Sequence, residues 1–153
     1  MASPEDRLKE LGITLPEVAA PVANYVAAVQ TGNLLFLSGQ VPMLEGKVVY
    51  TGKVGGEATE QQGTEAARLC AINLLAQAKK ALGDLSRIKR LVKLTIFVAS
   101  TPDFTRQPFV ANGASDLMVD VFGDAGRHAR VAVGTNVLPL DSTVEVDAIF
   151  EIA

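Results

Sequence analysis

The sequence predicts an α+β sandwich: one mostly antiparallel sheet carrying two long helices on a single face. Three observations predict it. Hairpin-like strand pairs stand at both ends of the chain, two long helix-period segments lie between them, and the final strand alternates apolar with polar side chains, as a sheet covered on one face requires. With 153 residues, 48% of them hydrophobic and 20% charged, the chain carries enough apolar material for that core without disulfides or a metal.

The elements follow in order. Ser3, Pro4, Glu5 and Asp6 read as an N-cap, a proline at the first helical position and acids in the first turn, so a short helix should run to about Leu11 and stop at Gly12. Residues 13–21, with Pro16 and Pro21, read as an extended lead-in. Strand-like runs over Asn24–Ala28 and Leu34–Ser38 flank Thr31-Gly32-Asn33, a hairpin signal, and a third short strand is expected over Lys47–Tyr50. Gly52–Gly56 reads as an irregular, flexible link. Residues 58–82 form the strongest helix: Ala67, Cys70, Leu74, Ala78 and Leu82 recur every three or four residues, and Gly83 supplies a stop. Leu91–Ala99 reads as a central strand, 108–122 as a second long helix ending at Gly123, and Ala129–Val137 with Thr143–Ile152 as a closing hairpin. With no internal repeat and no linker, a single domain is expected over residues 21–153, preceded by a helix and lead-in over 1–20.

In the last strand Val144, Val146, Ala148, Phe150 and Ile152 should face the helices, and Glu145, Asp147, Ile149 and Glu151 the other side. If the closing hairpin turns near Pro139, Arg130 falls opposite Asp147 or Glu145, on the face the helices leave open. The simplest account of that juxtaposition is a cross-strand ion pair. The alternative is a carboxylate site, since a guanidinium near a subunit boundary offers two parallel hydrogen bonds to an acid, and an apolar open face calls for a second copy to cover it.

Other chemistries find little support. Fourteen Lys and Arg against seventeen Asp and Glu give a net charge of −3, which supplies no counterion-release drive toward nucleic acid. The one basic cluster, Arg87, Lys89, Arg90 and Lys93, reads as a solvated strand edge. A single cysteine, Cys70, excludes an internal disulfide and reads as a small core hydrophobe. His128 is the only histidine, so a multi-histidine metal site is excluded, and no Gly-x-Ser-x-Gly elbow supports a serine–histidine nucleophile. The polar N-terminus and the absence of any long apolar segment lead us to expect a cytoplasmic protein without membrane contact. Ser38-Gly39-Gln40-Val41-Pro42 ends a strand with a glycine that lets a ligand or backbone approach closely.

Two segments carry a resemblance. Gly32-Asn33-Leu34-Leu35-Phe36-Leu37-Ser38-Gly39-Gln40-Val41-Pro42 resembles the N-terminal signature of the YjgF/Rid (reactive intermediate deaminase, endoribonuclease L-PSP-like) family. Ala129-Arg130-Val131-Ala132-Val133, Leu138-Pro139 and Val144-Glu145-Val146-Asp147-Ala148 resemble its C-terminal signature. The resemblance implies a chorismate-mutase-like fold assembled as a homotrimer, with sites in the clefts between subunits and no cofactor. It implies that Arg130 holds the carboxylate of a small enamine or imine acid such as 2-aminoacrylate, and that Glu145 positions the attacking water. Tyr25, Ser38, Gly39 and the backbone of Val131 and Val133 would complete the substrate site, and the products would be a 2-keto acid and ammonia. Non-catalytic, carboxylate-binding or regulatory members and members described as endoribonucleases are the alternatives. Deaminating members usually carry Tyr-Ser and Arg-Ser-Cys where this chain has Tyr25-Val26 and Arg130-Val131-Ala132, which suggests a distinct subgroup. Asn112-Gly113-Ala114-Ser115 also looks particular to it.

Overall fold

A computed structural model describes residues 2–18 and 23–153. The expected N-terminal helix is α1, Pro4–Glu10, closed by a reciprocal capping box between Ser3 and Asp6. Leu8 enters the core, and Glu5 pairs with Lys79 at 3.1 Å, tying α1 to the long helix. The end of the expected lead-in, residues 19–21, lies outside the described residues, as does residue 22.

The first hairpin is present but displaced. Its strands are β1, Ala28–Thr31, and β2, Leu34–Gln40, so the first begins where the expected strand ended. Gly32 turns the chain with φ of 58°, a left-handed conformation that glycine adopts without strain. The expected third strand is shorter and sits elsewhere: β4, Lys47–Val48, pairs with β3, Met43–Leu44, in a two-stranded ribbon of its own. Glu45 and Gly46, both at positive φ, form its tight turn.

The long helix is α2, Glu60–Leu82, opened by a Thr59–Gln62 capping box and closed at Gly83, φ 82°. Ala67, Cys70, Leu74, Ala78 and Leu82 are all buried along it. After it come β5, Ile88–Ala99, and α3, Gln107–Phe122. The two long helices approach through glycines. A Cβ at Gly113 would meet the Thr64 carbonyl, and one at Gly63 would press on Val54 and Val110.

The last two strands, β6, Ala129–Thr135, and β7, Val144–Ile152, correct the sequence reading. They do not form a hairpin. The sheet order is β1-β2-β7-β5-β6, with β6 running parallel to β5 and β7 antiparallel to it on the other side. The sheet is therefore mixed. The physical reason is the helix: a strand–helix–strand segment brings the chain back parallel, so β5-α3-β6 fills one side of β5 and β7 takes the other. Pairing on both sides from Lys93 onward makes β5 central, as expected, while residues 88–92 pair only with β7, so the exposed Lys89 and Arg90 lie on a locally open strand edge and Arg87 precedes the strand. Arg90 there donates to the Arg127 carbonyl.

Side-chain alternation in β7 holds throughout. Val144, Val146, Ala148, Phe150 and Ile152 are buried under the helices, with Phe150 edge-on to Phe122. The opposite face is uncovered and carries exposed Val29, Phe36, Val131 and Val133. Because the Gly113 contact is with rigid backbone, Gly113→Ala should force the two long helices apart. We expect a loss of about 2–4 kcal/mol in a denaturant melt.

Candidate functional site

Arg130 lies on the edge strand β6, and alternation sends Arg130, Ala132 and Gly134 toward the helices, with Val131 and Val133 on the open face. Its guanidinium meets α3: Nη1 donates to Asn112 Oδ1 at 2.8 Å and to Ser115 Oγ at 3.2 Å. Ser115 Oγ lies 2.9 Å from His128 Nε2, and His128 Nδ1 lies 2.6 Å from the Gly126 carbonyl oxygen. Gly126 makes this possible. The turn over Gly123–Gly126 packs so tightly on α3 that a Cβ at Gly126 would collide with the Met118 carbonyl, and this seats His128 beside Ser115. Burial lowers the His128 pKa; the Gly126 hydrogen bond opposes this, and the Arg130 charge lowers it further.

The charge of Arg130 is not cancelled. Ion pairs among the described residues join Lys79 to Glu5, Arg106 to Glu60 and Arg127 to Asp124, and Arg130 is in none of them. Asn112 and Ser115 are neutral acceptors that take only Nη1, so Nε and Nη2 have no hydrogen-bond partner among the described residues. That edge is a fork suited to the two oxygens of a carboxylate.

The second group forms around Glu145, on the open face of β7. A register shift between Leu37 and Gln40 bulges β2 beside it, and at Gly39 a Cβ would collide with Glu145 Oε2. Glycine is needed there so that the carboxylate can lie against the backbone. Ser38 Oγ donates to the Val26 carbonyl at 2.7 Å, which holds the segment carrying Tyr25 near the same strand end; Tyr25 itself is 57% exposed and precedes β1. Burial raises the Glu145 pKa, helped by the neighbouring Asp147 charge. Burial also raises that of Asp147, against a Thr95 hydrogen bond and the Lys93 charge.

Sequence-predicted site residues therefore fall into two groups. Tyr25, Ser38, Gly39 and Glu145 share one region; Arg130, Val131 and Val133 share the edge strand. Ser100 N–H donates to the Thr135 carbonyl there, so by alternation Val131 and Val133 turn their backbone groups to β5, and the outward backbone groups belong to Ala132 instead of the two expected valines. The expected meeting of Arg130 with Glu145 or Asp147 does not occur within one protomer. β5 separates their strands, with Thr95 opposite Asp147 and Phe97 opposite Glu145, and Arg130 faces the helices while both carboxylates face away from them. Two strand spacings, about 10 Å, and the thickness of the sheet lie between them.

Sequence reasoning missed Asn112 as a partner of Arg130 and set aside any serine–histidine pairing, yet Ser115 and His128 are in hydrogen-bond contact. One signal for Asn112 and Ser115 was available: three residues apart on a helix they share a face. Cys70 is a core residue as expected. Burial pushes its thiol pKa well up, which leaves it a poor nucleophile.

A sheet with both long helices on one face, an arginine at its edge and a glycine-cradled carboxylate define an α+β protein of the YjgF type. Residues 5–152 match the family described as "YjgF/chorismate mutase-like, putative endoribonuclease", and the chain belongs to that family. It is 51% identical to protein TCP17 of Trypanosoma cruzi over 146 residues, covering 95% of this chain and 91% of that protein. It superposes on the crystal structure of Atu1372 from Agrobacterium tumefaciens with a TM-score of 0.91 and 54% identity, covering 98% of this chain and 94% of that one. It is also 28% identical to a 2-iminobutanoate/2-iminopropanoate deaminase of Dermatophagoides farinae, covering 90% of this chain and 92% of that protein.

The Glu145 environment has a pH consequence. Its carboxyl titrates above the ordinary value of 4.5 when folded, so ionisation costs stability as pH rises through the folded value and costs nothing well below 4.5. Glu145→Gln should raise the melting temperature by about 1–2 °C at neutral pH, a small shift because the group is half in water, and leave it unchanged near pH 3.5. Paired calorimetric scans at the two pH values check this.

Proposed function

We propose that the protein hydrolyses small imine or enamine acids, such as 2-iminopropionate, to 2-keto acids and ammonia at clefts between protomers of a homotrimer. The observation that carries the reading is the uncompensated Arg130 guanidinium, anchored at one end by neutral oxygens with its other edge open. A relative named for 2-iminobutanoate/2-iminopropanoate deamination supports it.

The two half-sites require the assembly. Arg130 and Glu145 lie on opposite faces of one sheet, so a ligand touching both needs them from different protomers. The uncovered face, with exposed Phe36, Val131 and Val133 beside half-buried Glu145 and Asp147, offers an apolar surface for a second copy. The edge position of β6 leaves the outward backbone N–H and C=O of Ala132 without a strand partner, where they can hold the imine nitrogen.

In this site Arg130 orients the substrate through its carboxylate. An imine carbon is already electrophilic, so the remaining task is to aim a water at it. Glu145, with its pKa raised by burial, accepts a proton from that water more readily than an ordinary carboxylate would. The water oxygen bonds to the imine carbon, and the nitrogen gains a proton to give a carbinolamine. The second water proton then moves to the nitrogen as the C–N bond breaks, releasing ammonia and the keto acid. The family's name also contains the words "putative endoribonuclease"; a net charge of −3 supplies little of the counterion release on which RNA binding draws.

With 2-iminopropionate generated in situ, the wild type should accelerate pyruvate release, and Arg130→Ala and Glu145→Gln should each lose about 100-fold or more in kcat/KM. Sedimentation should give a trimer. A stable monomer, or unaltered pyruvate release by Arg130→Ala, overturns the reading; pyruvate binding without acceleration would assign the protein to the carboxylate-binding members instead.

A further inference from the structure

His128 and Ser115 are a matched pair. A carbonyl oxygen only accepts, so the 2.6 Å contact with Gly126 requires the proton on His128 Nδ1. Nε2 is then the acceptor, and Ser115, 2.9 Å away, must be the donor. With its single proton committed to the imidazole, Ser115 Oγ can offer only lone pairs to Arg130 Nη1 at 3.2 Å. The second Nη1 hydrogen goes to Asn112 Oδ1 at 2.8 Å. Burial of the imidazole and the adjacent Arg130 charge both oppose its protonation, so this polarity holds at neutral pH.

We propose that Ser115 and His128 are positioning residues of the Arg130 site, fixing the guanidinium by its Nη1 end so that only the side-on Nε–Nη2 fork is left for the carboxylate of a small acid. The inference rests on the carboxylate-binding reading above and deepens it. Neither residue touches the carboxylate; both act through Arg130. An arginine free to rotate about its terminal bonds offers a carboxylate either the side-on edge or the end-on Nη1–Nη2 edge, and must be ordered at each binding event. Here the end-on edge is occupied in advance. The acid is therefore received in a single orientation, which sets where its α-carbon lies relative to the Ala132 backbone.

The chain contains one histidine, so its imidazole nitrogen resonances report this pair without ambiguity. In 15N-labelled wild type the ring should show the Nδ1–H tautomer, and pyruvate should shift its resonances. Pyruvate affinity should fall about five- to tenfold in Ser115→Ala and in His128→Leu, the effect of one ordinary hydrogen bond lost from the support of Arg130 and none from the acid itself. His128→Gln places an amide oxygen near the Nε2 position and should stay within about twofold of wild type by retaining an acceptor for Ser115. Rotation about the Arg130 Nε–Cζ bond, read from exchange between its Nη1 and Nη2 resonances, should be faster in Ser115→Ala than in wild type. The proposal is overturned if the tautomer is Nε2–H, if Ser115→Ala and His128→Leu bind pyruvate like wild type, or if rotation about Arg130 Nε–Cζ is unchanged by Ser115→Ala. If wild type binds no pyruvate although Ser115→Ala still speeds that rotation, the carboxylate reading fails while the positioning of Arg130 by Ser115 stands.

Discussion

The functional architecture depends on how one positive charge is held. Arg130 is fixed by the amide oxygen of Asn112 and the hydroxyl oxygen of Ser115, neither of which carries a charge. A carboxylate in either place would hold the side chain equally well but would cancel most of its attraction for an anion. Neutral acceptors give direction without neutralisation. This requires α3 to lie close to the edge strand and in one register, and small residues provide it: Gly113 lets α3 settle onto α2, and Gly126 lets the turn before β6 settle onto α3.

The two faces of the sheet have different fates. The helix-covered face is filled by β5 and β7 side chains such as Leu94, Ile96, Val146 and Phe150, all without solvent contact. The open face mixes apolar side chains with two carboxylates whose burial already disfavours their charge. A surface of that kind is poorly suited to water and well suited to a neighbouring protomer, and the proposed site uses both properties. The raised proton affinity of Glu145 and the exposed Phe36 and Val133 belong to the same partly dry surface.

Much of this was legible in the residue order because it is written in local periodicity. The three- and four-residue spacing of Ala67, Cys70, Leu74 and Ala78 identifies the buried stripe of α2, and the strict alternation of residues 144–152 identifies the core face of β7. Ser3 and Gly83 mark helix ends through hydrogen bonds made within a few residues. The candidate residues were legible only one by one. Arg130, Glu145 and Gly39 stand out by their place in two signatures, but their mutual positions depend on strand order, which local periodicity does not encode. Adjacent strands near the C-terminus were expected to pair with each other, and β5 came between them instead.

By itself the sequence determined where helices and strands form, which side of each is buried, the family, and which side chains can carry chemistry, because all of these follow from short-range hydrogen bonding, hydrophobic spacing and residue identity. Tertiary structure alone decided that β5 separates β6 from β7, that Arg130 turns to the helices while Glu145 turns away from them, and that Ser115 meets His128. These are long-range outcomes, set by a helix that returns its strand parallel and by glycines that let backbones touch.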